Sequence, residues 1–407
     1  MAQTPPADHL ANFASSGRSS ILASAKRKLG YNEGEAVSAE HLNFLFSIIG
    51  NWNKVTSHAM APQIAANNIE YTTTSIGPSG DVDNMHLDYL PLADRFYASG
   101  IDTAGSVYVT SSADGVTWET TQYPVNVGVG DYPDVSKVAT DGTICAIAAD
   151  NGTQAKVYTS SDLTVANLDS GTNIGTSTTA LETSDLTYDE TNNLWIWVGR
   201  STTKGVVYTA SDPTSTWTLR KTFTADTDAF WLATNPAGVS VCGGLTESYY
   251  STNGTSWTAA TTPATTASNA VWSESLGLFV IISNTGDFLT TLDGDNWYNM
   301  SSLEGVPTMR NLVHCDKFVF AWAEPAVSTN GASYYDIYAF HTAATDAQNF
   351  SYQKIGTAWG EYSTPFDGAA SAIYRCGQGK MIFPYYNATP ANTTYLAIAR
   401  YGADDAH

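Results

Sequence analysis

One pattern recurs five times in this sequence, and it constrains the fold more than any other feature. Its first copy is Tyr108-Val-Thr-Ser-Ser-Ala-Asp-Gly-Val-Thr-Trp118. Val107, Tyr108 and Val109 bring the β-branched and aromatic side chains that suit a pleated strand. Ser111, Ser112, Asp114 and Gly115 then reverse the chain, because Ser and Asp side chains bond nearby backbone N–H groups and Gly accepts a positive φ. Trp118 opens the returning strand and is large enough to cover the hairpin.

The later copies are Val157-Tyr-Thr-Ser-Ser-Asp-Leu-Thr-Val-Ala-Asn-Leu168, Val207-Tyr-Thr-Ala-Ser-Asp-Pro-Thr-Ser-Thr-Trp217, Tyr249-Tyr-Ser-Thr-Asn-Gly-Thr-Ser-Trp257 and Phe288-Leu-Thr-Thr-Leu-Asp-Gly-Asp-Asn-Trp297. The residues that define the repeat are therefore Asp114, Gly115, Trp118, Asp162, Asp212, Trp217, Gly254, Trp257, Asp293, Gly294 and Trp297. Counted by the Trp or its Leu168 substitute, the copies are 50, 49, 40 and 40 residues apart, a period that suits propeller blades. Before each hairpin come two further strand candidates. The first is a segment such as Asp185–Tyr188 or Ala270–Trp272, and the second is a more apolar run such as Leu194–Val198 or Leu278–Ile282.

The order Ser or Thr, Asp and Gly in a turn, then Thr-Trp resembles the Asp-box repeat of bacterial neuraminidases. That resemblance implies a hairpin between the third and fourth strands of a β-propeller blade. The copy at Ser111–Trp118 departs from the usual form, with Asp114 one place closer to the Trp, and the copy at Asp162–Leu168 lacks both Gly and Trp. Two further units keep strands without the box. Val313–Ala321, Tyr335–Phe340 and Phe350–Ile355 form a sixth, and Ala372–Arg375, Lys380–Tyr385 and Tyr395–Ala399 form a seventh that stops at three strands. A ring of blades must close or leave a sheet edge open, and the isolated strand Ile69–Ile76 is the spare fourth strand. The fold class expected is all-β, a seven-bladed propeller over residues 69–403 in which 69–76 pairs with Tyr395–Ala399.

Residues 1–60 differ in kind, and residues 61–68 read as a connector. Ala11–Lys28 suits short helices, and Ser38–Lys54 reads as a helix with Ser38 as N-cap and Glu40 in its first turn. Leu42, Leu45, Ile49 and Trp52 recur at helical spacing and form the assembly stripe. It packs either on its own propeller or on copies of itself within a larger assembly. Glu40-His-Leu-Asn-Phe-Leu45, followed by Trp52, resembles the N-terminal portion of some tailed-phage structural proteins. That resemblance implies a helical anchor, homo-oligomers and other virion proteins as partners.

Composition narrows the function. The 407 residues carry a net charge of −21, which opposes nucleic acid as a partner because phosphates need Lys and Arg. The acidity suits solubility, and a saline habitat would also fit it. The start lacks the basic-then-apolar pattern of a secretory signal, and no apolar run approaches the ~20 residues of a membrane span. Cys145, Cys242, Cys315 and Cys376 are widely and irregularly spaced, without a Cys-x-x-Cys metal pattern, and read as small core residues.

Sialidases of the Asp-box family bind the substrate carboxylate with three arginines and use a Tyr–Glu pair and an Asp acid. Here Asp94-Arg-Phe-Tyr97 has no Ile-Pro after the Arg. Arg95, Arg200, Arg310 and Arg375 are candidates to converge at one end of the ring, but no motif joins them. Among the histidines outside the N-terminal segment, His86, His314 and His341 lack metal-ligand spacing. No catalytic, cofactor-binding or metal-binding set is assigned, and no cofactor is expected. Tyr, Trp, Asn and Thr segments such as Tyr385–Thr394 suit sugar rings or protein surfaces. The function expected is therefore a structural and host-attachment component of a tailed-phage virion, located in the virion, with a surface glycan or protein as receptor. The rivals are a carbohydrate-active enzyme and an assembly factor resembling photosystem-associated Asp-box propellers.

Overall fold

The computed structural model describes residues 72–75, most of 86–299 and the strands between 309 and 400. The chain divides into two units, Met1–Met60 and Ala61–His407, and every described residue belongs to the second. The expected helices, with Leu42, Leu45, Ile49 and Trp52, lie outside the described residues. Among the described residues there is no helix, and so none long and apolar enough to cross a membrane.

The strands form antiparallel sheets in sequence order. The first sheet holds His86–Leu90, Arg95–Ile101, Ser106–Ser112 and Gln122–Asn126, each paired with the next. The second holds Ala139–Thr140, Cys145–Asp150, Ala155–Ser160 and Thr172–Asn173. The third holds Leu181–Asp189, Leu194–Ser201, Lys204–Ala210 and Thr218–Thr222. The fourth holds Trp231–Thr234, Ser240–Gly243, Ser248–Ser251 and Thr258–Ala259, and the fifth Ala267–Ser273, Leu278–Ser283, Phe288–Thr291 and Tyr298–Asn299. Leading strands of neighbouring sheets lie against one another, as Leu181–Asp189 does against Trp231–Thr234 and that strand against Ala267–Ser273.

Sheets stacked face to face in this way bury both faces of their middle strands, which explains the apolar runs read from the sequence. In Leu194–Ser201, Trp195 and Trp197 join the core shared with the second sheet, together with Ala146, Ala148 and Val157. Ile196 and Val198 alternate with them and join Leu232, Cys242 and Tyr249 of the fourth sheet. All four side chains are at most 1% exposed. Burial of such side chains contributes about 1.5–3 kcal/mol each, so the apolar contacts between sheets are the main source of cohesion.

The remaining strands depart from the sequence expectation in one place. Val313–Ala321 is two strands, Met309–Cys315 and Phe318–Ala323, with Cys315 opposite Phe318. The polar pair Asp316-Lys317 interrupts that run in the sequence. This sheet also carries Ser333–His341, Ser351–Gly360 and the two-residue strand Ala326–Val327, which makes five strands. The last sheet orders Tyr374–Cys376, Lys380–Asn387, Thr393–Arg400 and then Thr72–Ser75 from the other end of the unit. Thr72 lies opposite Ile398 and Ser75 opposite Tyr395.

Candidate functional site

The repeat residues form turns, and their polar groups bond within those turns. Ser112 Oγ accepts the Gly115 N–H at 2.8 Å, while Asp114 Oδ1 accepts those of Val116 at 2.8 Å and Thr117 at 2.7 Å. Thr291 Oγ1 and Asp293 Oδ1 take the Gly294 and Asp295 N–H groups in the same way, at 3.1 and 2.9 Å. In the fourth sheet Asn253, which the sequence reading did not single out, stands in the Asp position and accepts from Thr255 at 2.9 Å and Ser256 at 2.8 Å. Asp212 accepts the Thr214 N–H at 2.8 Å, and Asp162 accepts that of Thr164 at 3.0 Å. The Thr164 hydroxyl, with Asn167 and two backbone N–H groups, holds the Asp162 carboxyl down to about 2. Burial opposes the charge of Asp114, but the Thr117 and Val116 N–H groups hold its carboxyl below the ordinary value.

The repeat Trp does not simply cover its own hairpin. Trp217 packs with Ala146, Ala148 and Val157 of the preceding sheet, and Trp257 with Ile196, Val198 and Val207. Trp297 meets Trp231 of the preceding sheet edge-on at 5.8 Å between ring centroids. Leu168 lies half-buried at the corresponding junction between the first two sheets, whereas Trp118 packs with Leu87, Phe96 and Tyr108 of its own sheet. Gly254 and Gly294 touch the same neighbours. A Cβ at Gly294 would sit 2.5 Å from Val241 Cγ1, and one at Gly254 2.8 Å from Leu194 Cδ1, both at positive φ. These residues wedge one sheet against the next.

A different group of residues gathers where the leading strands meet. His86 and Asp88 alternate with Leu87 and Tyr89 along His86–Leu90, and the latter pair belongs to the first sheet's apolar core. Lys137 lies just before Ala139–Thr140, on a stretch pinned from both sides. Ser136 Oγ accepts the Ala148 N–H at 2.9 Å, and Ser99 Oγ donates to the Ser136 carbonyl at 2.9 Å. Its ammonium reaches Asp185 Oδ2 of the third sheet at 3.0 Å and the Leu232 carbonyl of the fourth at 3.3 Å. Asp185 follows a register shift in Leu181–Asp189 and its Oδ1 accepts the Leu186 N–H at 2.8 Å. Four successive sheets thus contribute to one cluster.

Burial pushes the Asp88 carboxyl up to about 7, even though Lys137 draws it down. Burial also works against the charge of Lys137, but Asp185 and Asp88 beside it hold the ammonium above the ordinary lysine value. His86 is lowered, mainly by burial, and is a neutral imidazole at neutral pH. Next to Asp88 and Lys137 opens a cavity of about 130 Å³, walled by Leu90, Pro91, Leu92, Val138, Leu186 and Tyr188 among others. It brings together an apolar wall, a carboxyl raised by burial and an ion-paired ammonium, a setting in which binding sites occur. Among the described residues no three His, Cys, Asp or Glu side chains converge as metal ligands.

Arg95 and Arg200 do not converge. Arg95 opens the second strand of its sheet and pairs with Glu119 at 2.9 Å, whereas Arg200 lies near the far end of the equivalent strand in the third sheet and pairs with Glu182. The two therefore sit toward opposite ends of their sheets, contrary to the expectation that they share one. Arg310 and Arg375 lie on strands whose side chains are not among those described. Cys145 and Cys242 are buried and free.

The sequence reading passed over Asp88 and Lys137 and took Asp185 only as part of a strand. Residues 88, 137, 185 and 232 are spaced by 49, 48 and 47, close to the blade period. Aligning the leading strands at that period brings Asp, Lys and Asp to one level, and that signal was available.

No family model matches the chain, and no curated protein matches it. Solved structures do. A structure titled Dos1 propeller is 12% identical over 84% of this chain and 96% of that one, with a TM-score of 0.50. YCF48 bound to D1 peptide is 13% identical over 82% and 95%, with a TM-score of 0.47. The GH74 enzyme of Niastella koreensis is 15% identical over 83% of this chain but 44% of that one, with a TM-score of 0.44. The chain has a β-propeller fold; at these identities the likeness reaches no further than the fold.

Proposed function

We propose that the chain is a seven-bladed propeller serving as a structural and host-attachment component of a tailed-phage virion, in which the propeller binds a surface receptor. The observation that carries the binding part is the cavity beside Asp88 and Lys137, where strands from successive sheets bring an apolar wall and fixed polar groups together. The pairing of Thr72–Ser75 with Thr393–Arg400 supports a closed ring. The virion part rests on the likeness of Glu40–Leu45 and Trp52 to tailed-phage structural proteins, with Leu42, Leu45, Ile49 and Trp52 as the face that meets other virion proteins or further copies. Mass spectrometry of purified particles, together with adsorption of the isolated full-length chain to host cells, tests this reading. Absence from the particles would overturn the virion role, and failure to adsorb would overturn attachment.

A second reading, a glycosidase, is favoured by one observation. Asp88, pushed up to about 7, lies near a second carboxyl, Asp185, which is bonded to Lys137, and a raised carboxyl near another one is a feature of the acid in such enzymes. Release of a chromophore from aryl glycosides, abolished by Asp88→Asn, would support it; no release by the wild-type chain would exclude it for those substrates.

A further inference from the structure

We infer that the cavity beside Asp88 and Lys137 takes the end group of an uncharged sugar, a pyranose ring presenting two adjacent hydroxyls, and rejects acidic sugars. The inference rests on the attachment reading above and supplies the ligand class for its binding site. Size comes first. The cavity of about 130 Å³ is near the roughly 150 Å³ that encloses benzene, and a pyranose with its hydroxyls is larger, so one edge of the ring enters and the rest stays outside.

The polar groups decide the chemistry. An ammonium has three N–H donors, and Lys137 gives one to Asp185 Oδ2 and one to the Leu232 carbonyl. Among the described residues one donor remains, and Asp88 is near enough to act on the charge of Lys137. A pair of adjacent hydroxyls fits such a pair of groups, one oxygen accepting from Lys137 while the other hydroxyl donates to Asp88. Opposite them, Leu90, Leu92, Val138 and Leu186 present aliphatic surface to the C–H face of a ring.

Charge excludes the alternatives. The Lys137 ammonium is already balanced by Asp185 at 3.0 Å, so a carboxylate or phosphate entering the cavity finds no uncompensated positive charge. It would instead meet the carboxyl of Asp88 on the cavity wall. A cation would be placed against the Lys137 ammonium. A ligand with hydroxyls and no net charge meets neither penalty. The ligand is therefore unlike the acidic sugar that the Asp-box resemblance would imply.

The test uses the full-length chain and saturation-transfer NMR with methyl glycosides of galactose, glucose and mannose, and with N-acetylneuraminic acid and inorganic phosphate as charged probes. At least one neutral glycoside is expected to bind, with both anions at least tenfold weaker. Lys137→Met should weaken that glycoside about tenfold, the loss of one hydrogen bond of about 1.4 kcal/mol. Leu92→Trp, a change at an exposed position on the cavity wall, should block it without disturbing the ion pair. Thermal unfolding of each variant separates lost binding from lost folding. No binding of any neutral glycoside, tighter binding of either anion, or binding unchanged in folded Leu92→Trp protein would overturn the inference. Host-cell adsorption that persists in such a case would leave the attachment reading standing.

Discussion

The propeller uses aspartate in two regions with opposite results. In the repeat turns, Asp114 and Asp162 each accept from two backbone N–H groups, and their carboxyls are held below the ordinary value. Where the leading strands meet, burial takes Asp88 up to about 7. The difference comes from what surrounds each group: donors that favour the anion in one case, and desolvation that disfavours it in the other. A turn aspartate is committed to shaping the chain, whereas Asp88 exchanges a proton in the neutral range and borders a cavity. The repeat is thus where the fold is built, while the cluster on the leading strands borders the cavity.

On the structural side of that contrast, the largest effect is expected from the chain ends. Removing residues 1–76 deletes Thr72–Ser75 and leaves Thr393–Arg400 as an open edge, while removing 1–65 spares the pairing. The longer deletion should aggregate or melt far lower than the shorter one. Equal melting temperatures would mean that the pairing contributes nothing to closure.

Next come the wedges. Trp297→Ala should cost about 3–5 kcal/mol in denaturant unfolding, because the ring is 4% exposed against the preceding sheet. Leu168→Ala, at the half-buried counterpart, should cost about 1–2 kcal/mol. Similar losses would contradict the wedge role. Gly294→Ala should cost about 2–4 kcal/mol from crowding and the positive φ together, since its Cβ would lie 2.5 Å from Val241 Cγ1 at φ +85°. A neutral effect there would show that the junction is loosely packed. None of these three changes should alter ligand preference in protein that remains folded.

The cluster gives a smaller effect with a defined sign. Folded Asp88 keeps its proton up to about pH 7, whereas the unfolded chain releases it near 3.8. Between those values the unfolded state binds fewer protons, so this group makes stability fall as pH rises from about 4 to about 7. His86, lowered from 6.5, acts the other way, and its contribution is lost as pH falls below 6.5. Asp88→Asn should remove the first slope and leave the second, as read from melting temperatures across that range. An unchanged profile would place Asp88 in water rather than in a desolvated site.

The sequence made the fold legible because the repeat is local: turn chemistry, strand propensity and the Trp are contained within about a dozen residues. The partner of Thr72–Ser75, the described part of the expected strand 69–76, was legible by elimination, since its sequence neighbours offered no strand to pair with it. The wedge role was not, because which sheet a Trp packs on depends on how the sheets stack rather than on alternation along one strand. The cluster was hidden for a related reason. Asp88, Lys137 and Asp185 look like ordinary surface charges in their local segments, and only stacking of the sheets brings them together. The likeness to arginine-using sialidases gave no help, because Arg95 and Arg200 are each taken up by a carboxylate of their own sheet.

The contrast between the two kinds of aspartate is tested most directly by carboxyl-carbon NMR titration of the full-length chain, with assignment by Asp88→Asn and Asp162→Asn. The expected result is an Asp88 midpoint near 7 and an Asp162 midpoint near 2. Midpoints for both near the ordinary carboxylate value would contradict the account, because the cluster would then be as solvated as the surface turns.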